Sequence, residues 1–403
     1  MLTPIEVEAL HDEWARIERI HREVVAKPHR EERLGYYLRL LEEDHLHPGS
    51  LVGVATTTDD FALAGGCVAT LLDMGMRMPF VNQLAAQVLG HDPALWPLFE
   101  PYRDNPKPTI SAAMIVRDEE AVLGDCLSAL LPFVDQCVVV DTGSVDGTVE
   151  IADSYGVEVH HHPWENDYGL ARNQSLEYVT SDWVIWIDAD EVIDDTGWRQ
   201  IHENIKDPEA QAIQLRIIND YGNGEEGVTE FPRVWRHDPR CVLRWPFYED
   251  ISWAIYPLCS YYYRKVVDLE GCRILHDGYL PENMERLDKY ERNERMMAER
   301  VESDPRDTYA RVHYAEMLKV RGKHEHAVPH FAEWSRQVQR APIVEGDSRG
   351  IVGFAEYGEC LADLGRYDQG LMEVRQGETL FGEAARLESA RRYIAVAADA
   401  AAS

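Results

Sequence analysis

WVIWIDADE, residues 183–191, is the stretch on which the reading of this chain turns. Five apolar residues in succession describe a strand buried on both faces, and the run ends at once in Asp188, Ala189, Asp190 and Glu191. No apolar core accepts such charges without partners. Carboxylates at the C-terminal end of a parallel strand face the crevice where α/β sheets bind ligands, and the Asp-x-Asp spacing points Asp188 and Asp190 to one side of an extended chain. Hard oxygen ligands suit Mg²⁺ or Mn²⁺, ions that take one or two carboxylates and complete their shell on the phosphates of a substrate. The stretch therefore predicts a metal-diphosphate site at the end of a buried strand.

The same strand-then-helix unit recurs upstream. ISAAMIV (110–116), QCVVV (136–140) and VEVHH (157–161) read as strands, with helices expected from about Glu119 to Leu131, up to Gly156, and from about Asp167 to Val179. Alternation of this kind implies an α/β fold with a mostly parallel sheet covered by helices on both faces. AIQLRII (212–218) and CSYYYRKVV (259–267) are expected strands of a mixed second half. In VVVDTGSVDGT (138–148), Asp141 closes a buried strand, where a carboxylate can accept from a base imide N–H, an arrangement suited to uracil. Ser144 and Asp146 read as turn and cap residues. MIVRDEE (114–120) is again a strand end, with Arg117 and the backbone able to line a nucleotide pocket and Glu119 and Glu120 expected in a first helical turn. His160, His161 and His162 alternate faces along a strand and read as surface residues.

Outside this core the pattern is helical. Val7, Leu10, Trp14, Ile17, Ile20 and Val24 recur at three- and four-residue steps, and Pro106 and Pro108 mark an extended linker after them. Beyond about Pro281, Ala315, Leu318, Gly322, Ala327 and Phe331 align with Gly358, Leu361, Gly365, Gly370 and Val374, an imperfect tetratricopeptide-like repeat interrupted around PIVEGDSRG (342–350). The expected domains are thus a helical unit at 1–105, the α/β core at 106–280 and helical repeats at 281–403.

Forty Lys plus Arg against 72 Asp plus Glu give a net charge of −32, a field that repels nucleic-acid phosphates. A nucleic-acid reading would need a local channel such as Arg233, Arg236, Arg240 and Arg244 could build. No apolar run reaches the roughly 18 residues of a spanning helix, and MLTPIEVEALHDEW is too acidic for a signal peptide, so a soluble cytoplasmic protein is expected. Seven cysteines without a CxxC pair disfavour structural zinc and a disulfide scaffold. GxGxxG and GxxxxGK[ST] are both missing, which lowers dehydrogenase and P-loop alternatives.

The three strand-end motifs, with PWENDYGLARN (163–173) between them, resemble the GT-A nucleotide-sugar transferases of glycosyltransferase family 2, over about residues 109–280. The resemblance implies nucleotide contacts from Val116 and Arg117, base recognition by Asp141, and a nucleotide-reaching arginine at Arg172, paired with Asn173. It further implies ribose and metal binding at Asp188, Ala189 and Asp190. Asp118 stands where the family usually has Asn. RVWRHDPRCVLRWPFYEDI (233–251) and RILHDGY (273–279) resemble the corresponding segments of bacterial members that carry tetratricopeptide repeats, similar to peptide S- and O-glycosyltransferases. There Tyr248 and Glu249 replace His-Glu, Glu249 or Asp250 is the candidate general base, and His276 is the candidate third metal ligand. Either carboxylate could instead be structural, paired with Arg233 or Arg244. Trp245, Phe247 and Trp253 lie beside the candidate base.

By resemblance the chain is expected to be an inverting transferase dependent on Mn²⁺ or Mg²⁺, with a UDP-sugar donor and a peptide or protein acceptor. Runner-up acceptors are a surface glycan, a lipid or a modified DNA base. A degenerate core serving as an adaptor is the reading from another class, and the helical ends are also suited to a homodimer.

Overall fold

The computed structural model describes residues 2–27, 29–103, 106–220, 226–245, 247, 249–276, 289–340 and 348–402. In it the apolar runs become one eight-stranded mixed sheet of order β3-β2-β1-β4-β7-β6-β8-β5. The strands are β1 (Ile110–Val116), β2 (Gln136–Asp141), β3 (Glu158–His161), β4 (Trp183–Trp186), β5 (Glu191–Ile193), β6 (Ala210–Asp220), β7 (Glu226–Arg236) and β8 (Lys265–His276). β3, β2, β1 and β4 are parallel, as the alternation with helices requires. β7 is antiparallel to both β4 and β6, β8 runs parallel to β6, and β5 closes the far edge antiparallel to β8. The chain steps outward from β1 to β2 and β3, then returns to β4 on the other side of β1. That reversal opens a crevice at the C-terminal strand ends. Val116 pairs with Asp141 at this edge, and Asp188 follows β4 by two residues.

Period-two alternation sends the strand side chains into two apolar layers. Ile110, Ala112 and Met114 of β1 and Trp183 and Ile185 of β4 pack with Leu123 and Leu127 of the helix Leu123–Leu130 and with Trp198 and Ile201 of the helix Asp195–Asn204. Ala113, Val184 and Trp186 point the other way, into a layer formed with Trp14, Tyr37, Val54 and Leu71 of the N-terminal helices and with Ile255 and Leu258. The N-terminal helices and the sheet thus share a core within one compact unit, Met1–Asn283. The first of these helices, Pro4–Val25, starts at a capping box between Thr3 and Glu6, with Pro4 in its first turn, and buries Val7, Trp14, Ile17 and Val24. Trp14 stacks on Tyr261 with centroids 4.5 Å apart, and the Tyr261 hydroxyl donates to Asp44 at 2.6 Å.

Two expected elements differ. CSYYYRKVV is not one strand: Ser252–Tyr262 is a helix, Tyr263 ends it in the left-handed region at φ 54°, and β8 begins at Lys265. The aromatic content suggests a strand, but Ala254, Ile255, Leu258, Tyr261 and Tyr262 are buried at helical period, and burial against the sheet decides. The helix expected from Glu119 starts at Leu123.

In the second unit, Met284–Ser403, the described residues are helical. Thr308–Val320 and His324–Val338 form one hairpin, Ser348–Asp363 and Tyr367–Phe381 the next, and Ala385–Ala402 follows. The repeat positions do what small residues do at close helix crossings. Ala315 and Ala327 are fully buried, Gly322 and Gly365 occupy the turns at φ 71° and 74°, and Gly358 and Gly370 touch backbone to backbone. Residues 341–347 of the interrupting segment lie outside the described residues. Among the described residues no helix is long and apolar enough to cross a membrane.

A Cβ at Gly370 would lie 2.6 Å from the carbonyl oxygen of Gly358. Gly370→Ala is therefore expected to destabilise the second unit by about 1–3 kcal/mol, read as a lower urea midpoint at unchanged slope.

Candidate active site

The loops after β1 and β2 are fused by their own polar atoms. Asp118 sits at φ 56°, a left-handed conformation that Asp and Asn tolerate better than other side chains. From there its Oδ1 accepts the Val145 N–H at 2.8 Å, and its own N–H donates to Ser144 Oγ at 3.0 Å. Glu120 Oε2 accepts the Gly147 N–H at 2.9 Å, while the N–H groups of Glu119 and Glu120 donate to Thr148 Oγ1 and Asp146 Oδ2. Glu119 and Glu120 are thus loop ties rather than first-turn helix residues. Arg117 is exposed, 3.9 Å from the Asp118 carboxylate.

Asp141 is 5% exposed and accepts from the N–H of Ser144 at 2.9 Å and of Gly143 at 3.3 Å, with His161 Nδ1 at 3.2 Å. Burial alone would raise its pKa, but these hydrogen bonds outweigh burial and hold the carboxyl below the usual range. An ionised acceptor therefore stands at the end of β2. The neighbouring histidines are engaged rather than idle: His160 stacks on Tyr178 at 3.4 Å, and His162 Nε2 lies 2.9 Å from the Tyr178 hydroxyl.

The helix Tyr168–Leu176, capped by Asp167, carries Arg172. This buried guanidinium donates from Nε to Glu249 Oε1 at 2.7 Å and from its two terminal nitrogens to Asp188 at 2.7 and 3.2 Å. Burial opposes its charge, but Asp188 and then Glu249 overcome that and raise its pKa, so it is a fixed cation. Asn173 holds the segment that brings Glu249 in: its side-chain amide donates to the Leu243 carbonyl at 2.9 Å and accepts the Leu243 N–H at 2.8 Å. Gly169 lets that segment approach, since a Cβ there would lie 2.6 Å from the Trp245 carbonyl oxygen.

Beneath Asp188, Glu191 Oε2 accepts the Asp188 N–H at 2.9 Å, and Glu191 is itself ion-paired with Arg233, both residues almost fully buried. The guanidinium carbons of Arg172 and Arg233 lie 4.1 and 4.3 Å from the Trp186 ring centroid, within cation–π range. The Trp186 indole N–H donates to Asp188 Oδ1 at 3.3 Å.

The geometry therefore gathers Arg172, Asp188 and Glu249 into one cluster. Ala189 and the half-buried Asp190 lie in the turn that leads into β5. Val116, Arg117 and Asp141 occupy the adjoining strand ends. Asp250 pairs backbone to backbone with Arg244, and its Oδ1 accepts the Ser252 N–H at 2.7 Å. His276 lies in β8 opposite Glu191, but its side chain and the whole of Tyr248 lie outside the described residues. The four arginines of the hypothetical channel are dispersed: Arg233 pairs with Glu191, Arg240 with Asp238 and Arg244 with Glu8, while Arg236 sits at the opposite end of the sheet. Among the described residues no three His, Cys, Asp or Glu side chains form a closed metal cage. Asp188 and Asp190 supply hard oxygen donors of the kind that Mg²⁺ or Mn²⁺ take beside phosphates and water, while both Asp188 oxygens here accept from Arg172. Glu191 and Arg233 as a buried support escape sequence reading; a glutamate directly after Asp-x-Asp is the signal that could have found it.

Residues 111–269 match the family model described as Glycosyl transferase family 2. A TPR repeat-containing protein of Synechococcus elongatus is 26% identical over 267 residues, 66% of this chain and 66% of that protein. The SPbeta prophage-derived glycosyltransferase SunS of Bacillus subtilis is 24% identical over 234 residues, 57% of this chain and 54% of its own length. The alignments thus span between about half and two thirds of these relatives. Among solved structures, S. aureus TarS 1–349 in complex with UDP-GlcNAc is similar at TM-score 0.37 and 16% identity, covering 72% of this chain and 89% of that one.

Replacing Arg172 by Met strands two carboxylates against each other and is expected to cost about 3 kcal/mol. An Asp188→Asn background should recover part of that loss in a double-mutant cycle of urea midpoints. The depressed pKa of Asp141 gives stability that is present above the ordinary carboxyl pKa of about 3.9 and lost as pH falls through its lower folded value. The stability difference between wild type and Asp141→Asn should therefore shrink on acidification from about pH 6 to about pH 3.

Proposed function

Starting from a chain that carries a glycosyltransferase family 2 domain at residues 111–269, we propose a metal-dependent inverting glycosyltransferase. It moves a sugar, glucose or a relative, from uridine diphosphate to a nucleophile on a peptide or protein. The observation that carries this reading is the Arg172 guanidinium joined at once to Asp188 and Glu249, which sets a donor-side and an acceptor-side carboxylate on one cation. Asp141, ionised and fixed, would accept the uracil imide N–H. Val116, Arg117 and Ala189 would line the nucleoside, and Arg172 would face the diphosphate.

Asp190 with Asp188 would hold Mn²⁺ or Mg²⁺, whose chemistry there is neutralisation of charge on the leaving diphosphate, with His276 as a further ligand. Glu249 is the general base in this reading because it reaches the cluster, whereas Asp250 Oδ1 accepts the Ser252 N–H. It would take the proton of the acceptor hydroxyl or thiol as that atom attacks the anomeric carbon on the face opposite the diphosphate. One displacement inverts the configuration.

The hairpins of the second unit support the acceptor class, since stacked repeats of this kind present surfaces suited to an extended peptide. The same helices would also suit self-association. All seven cysteines are free thiols, which supports the reducing cytoplasm as the place of action.

Titration with UDP and Mn²⁺ should give saturable heat, and a panel of nucleotide sugars should show turnover first with UDP-glucose or an N-acetylated relative. Silence at millimolar UDP with metal would favour an adaptor. Asp190→Ala should lower turnover by about a hundredfold or more while keeping the melting temperature. Full activity of that variant without added metal would sink the metal assignment.

A further inference from the structure

At the opposite end of the sheet, where the parallel strands begin, lies a second cavity of about 760 Å³. Its wall carries Arg77, Arg103, Lys107, Lys206 and Arg236 against a single carboxylate, Asp182. In a chain of net charge −32, five cations round one cavity are a local reversal of sign. The sheet explains the gathering: Lys107 precedes β1, Asp182 precedes β4, and Arg236 ends the antiparallel β7 opposite Trp183, while Arg77 and Arg103 come from the N-terminal helical region.

The nearby carboxylates are already engaged. Asp182 Oδ2 accepts both the N–H and the hydroxyl of Thr109, at 2.9 and 2.8 Å, Glu203 pairs with Lys206 at 2.8 Å, and Asp73 accepts the Tyr102 hydroxyl. Arg236 donates to the carbonyls of Ala210 and Asp207 at 2.7 and 3.0 Å, and its guanidinium lies 4.6 Å from the Trp183 ring centroid. Among the described residues, Arg103, Lys107 and Arg236 form no ion pair. Burial first, and the charge of Arg264 second, push the Arg236 pKa down, and the nearby charges of Asp182 and Asp207 only partly offset them.

We propose that this cavity is a binding site for a small soluble phosphoanion bearing two or more phosphate groups, separate from the nucleotide crevice. Planar guanidinium forks match phosphate oxygens in pairs, and the ammonium of Lys107 adds a point charge at the mouth. The volume falls in the range of sites for nucleotide-sized molecules. Its concave form selects a soluble anion over a lipid surface. β1 has seven residues, so at about 3.3 Å per residue the two sites are roughly 20 Å apart and can be filled together.

Inorganic triphosphate, titrated calorimetrically into the full chain without divalent metal, should bind at one saturable site. The charge-reversed variant Arg103→Glu/Lys107→Glu, altered only at exposed positions, should bind it about tenfold more weakly or worse while keeping its melting temperature and its affinity for UDP with Mn²⁺. Absence of saturable heat, equal affinity in the variant, or displacement of triphosphate by UDP would each overturn the site. Charge-dependent sedimentation with phosphatidylglycerol vesicles, without triphosphate binding, would overturn it in favour of a lipid surface.

Discussion

One buried cation organises the crevice. Arg172 reaches from the helix Tyr168–Leu176 to Asp188 behind β4 and to Glu249 on the segment that enters the helix Ser252–Tyr262. Two neighbouring segments and one 77 residues downstream meet at one guanidinium. Its fork geometry matters, since a lysine ammonium could not satisfy both carboxylates with three directed donors in fixed positions. The surrounding groups restrain it further: Trp186 lies against its guanidinium, and Asn173, the next residue on the helix, clasps the backbone of Leu243. Position and charge are therefore set by the protein itself, with no partner needed to complete them.

Much of this was legible in the sequence where the cause is local. Asp188 and Asp190 stand out because charge cannot follow a doubly buried strand without a purpose, and the glycines at 322, 365, 358 and 370 announce turns and close crossings. The polarity of the parallel strands follows from their alternation with helices. What escaped was decided by partners remote in sequence. Glu119 and Glu120 look like residues of a first helical turn, yet the loop after β2 claims them. Asp118 looks like a departure from the family's asparagine, yet at φ 56° either residue serves. The Tyr-rich run before β8 has the composition of a strand, but the sheet face needed a helical cover. No spacing rule pairs Arg233 with Glu191 across 42 residues, because one lies in β7 and the other in β5 and only the folded chain brings them together.

The buried pair of Glu191 and Arg233 also shows how stability and chemistry are divided. A buried ion pair is at best a modest source of stability, since both charges lose their water. Its use here is directional: Glu191 fixes the N–H of Asp188, and Arg233 holds the Glu191 carboxylate in place within an apolar layer. The strain of burying charge falls on residues that hold the turn, and those that would meet the nucleotide remain at its open edge.

β1 and β4 send alternate side chains into two different layers, one of them completed by the N-terminal helices. The proline-rich linker at 106–108 therefore divides the chain in composition but not in cohesion. If the chain were shortened to begin there, Val184 and Trp186 would lose their cover. The water-exposed face would be the one that supports Arg172, so the helical leader is as much a part of the crevice as the strands whose ends form it.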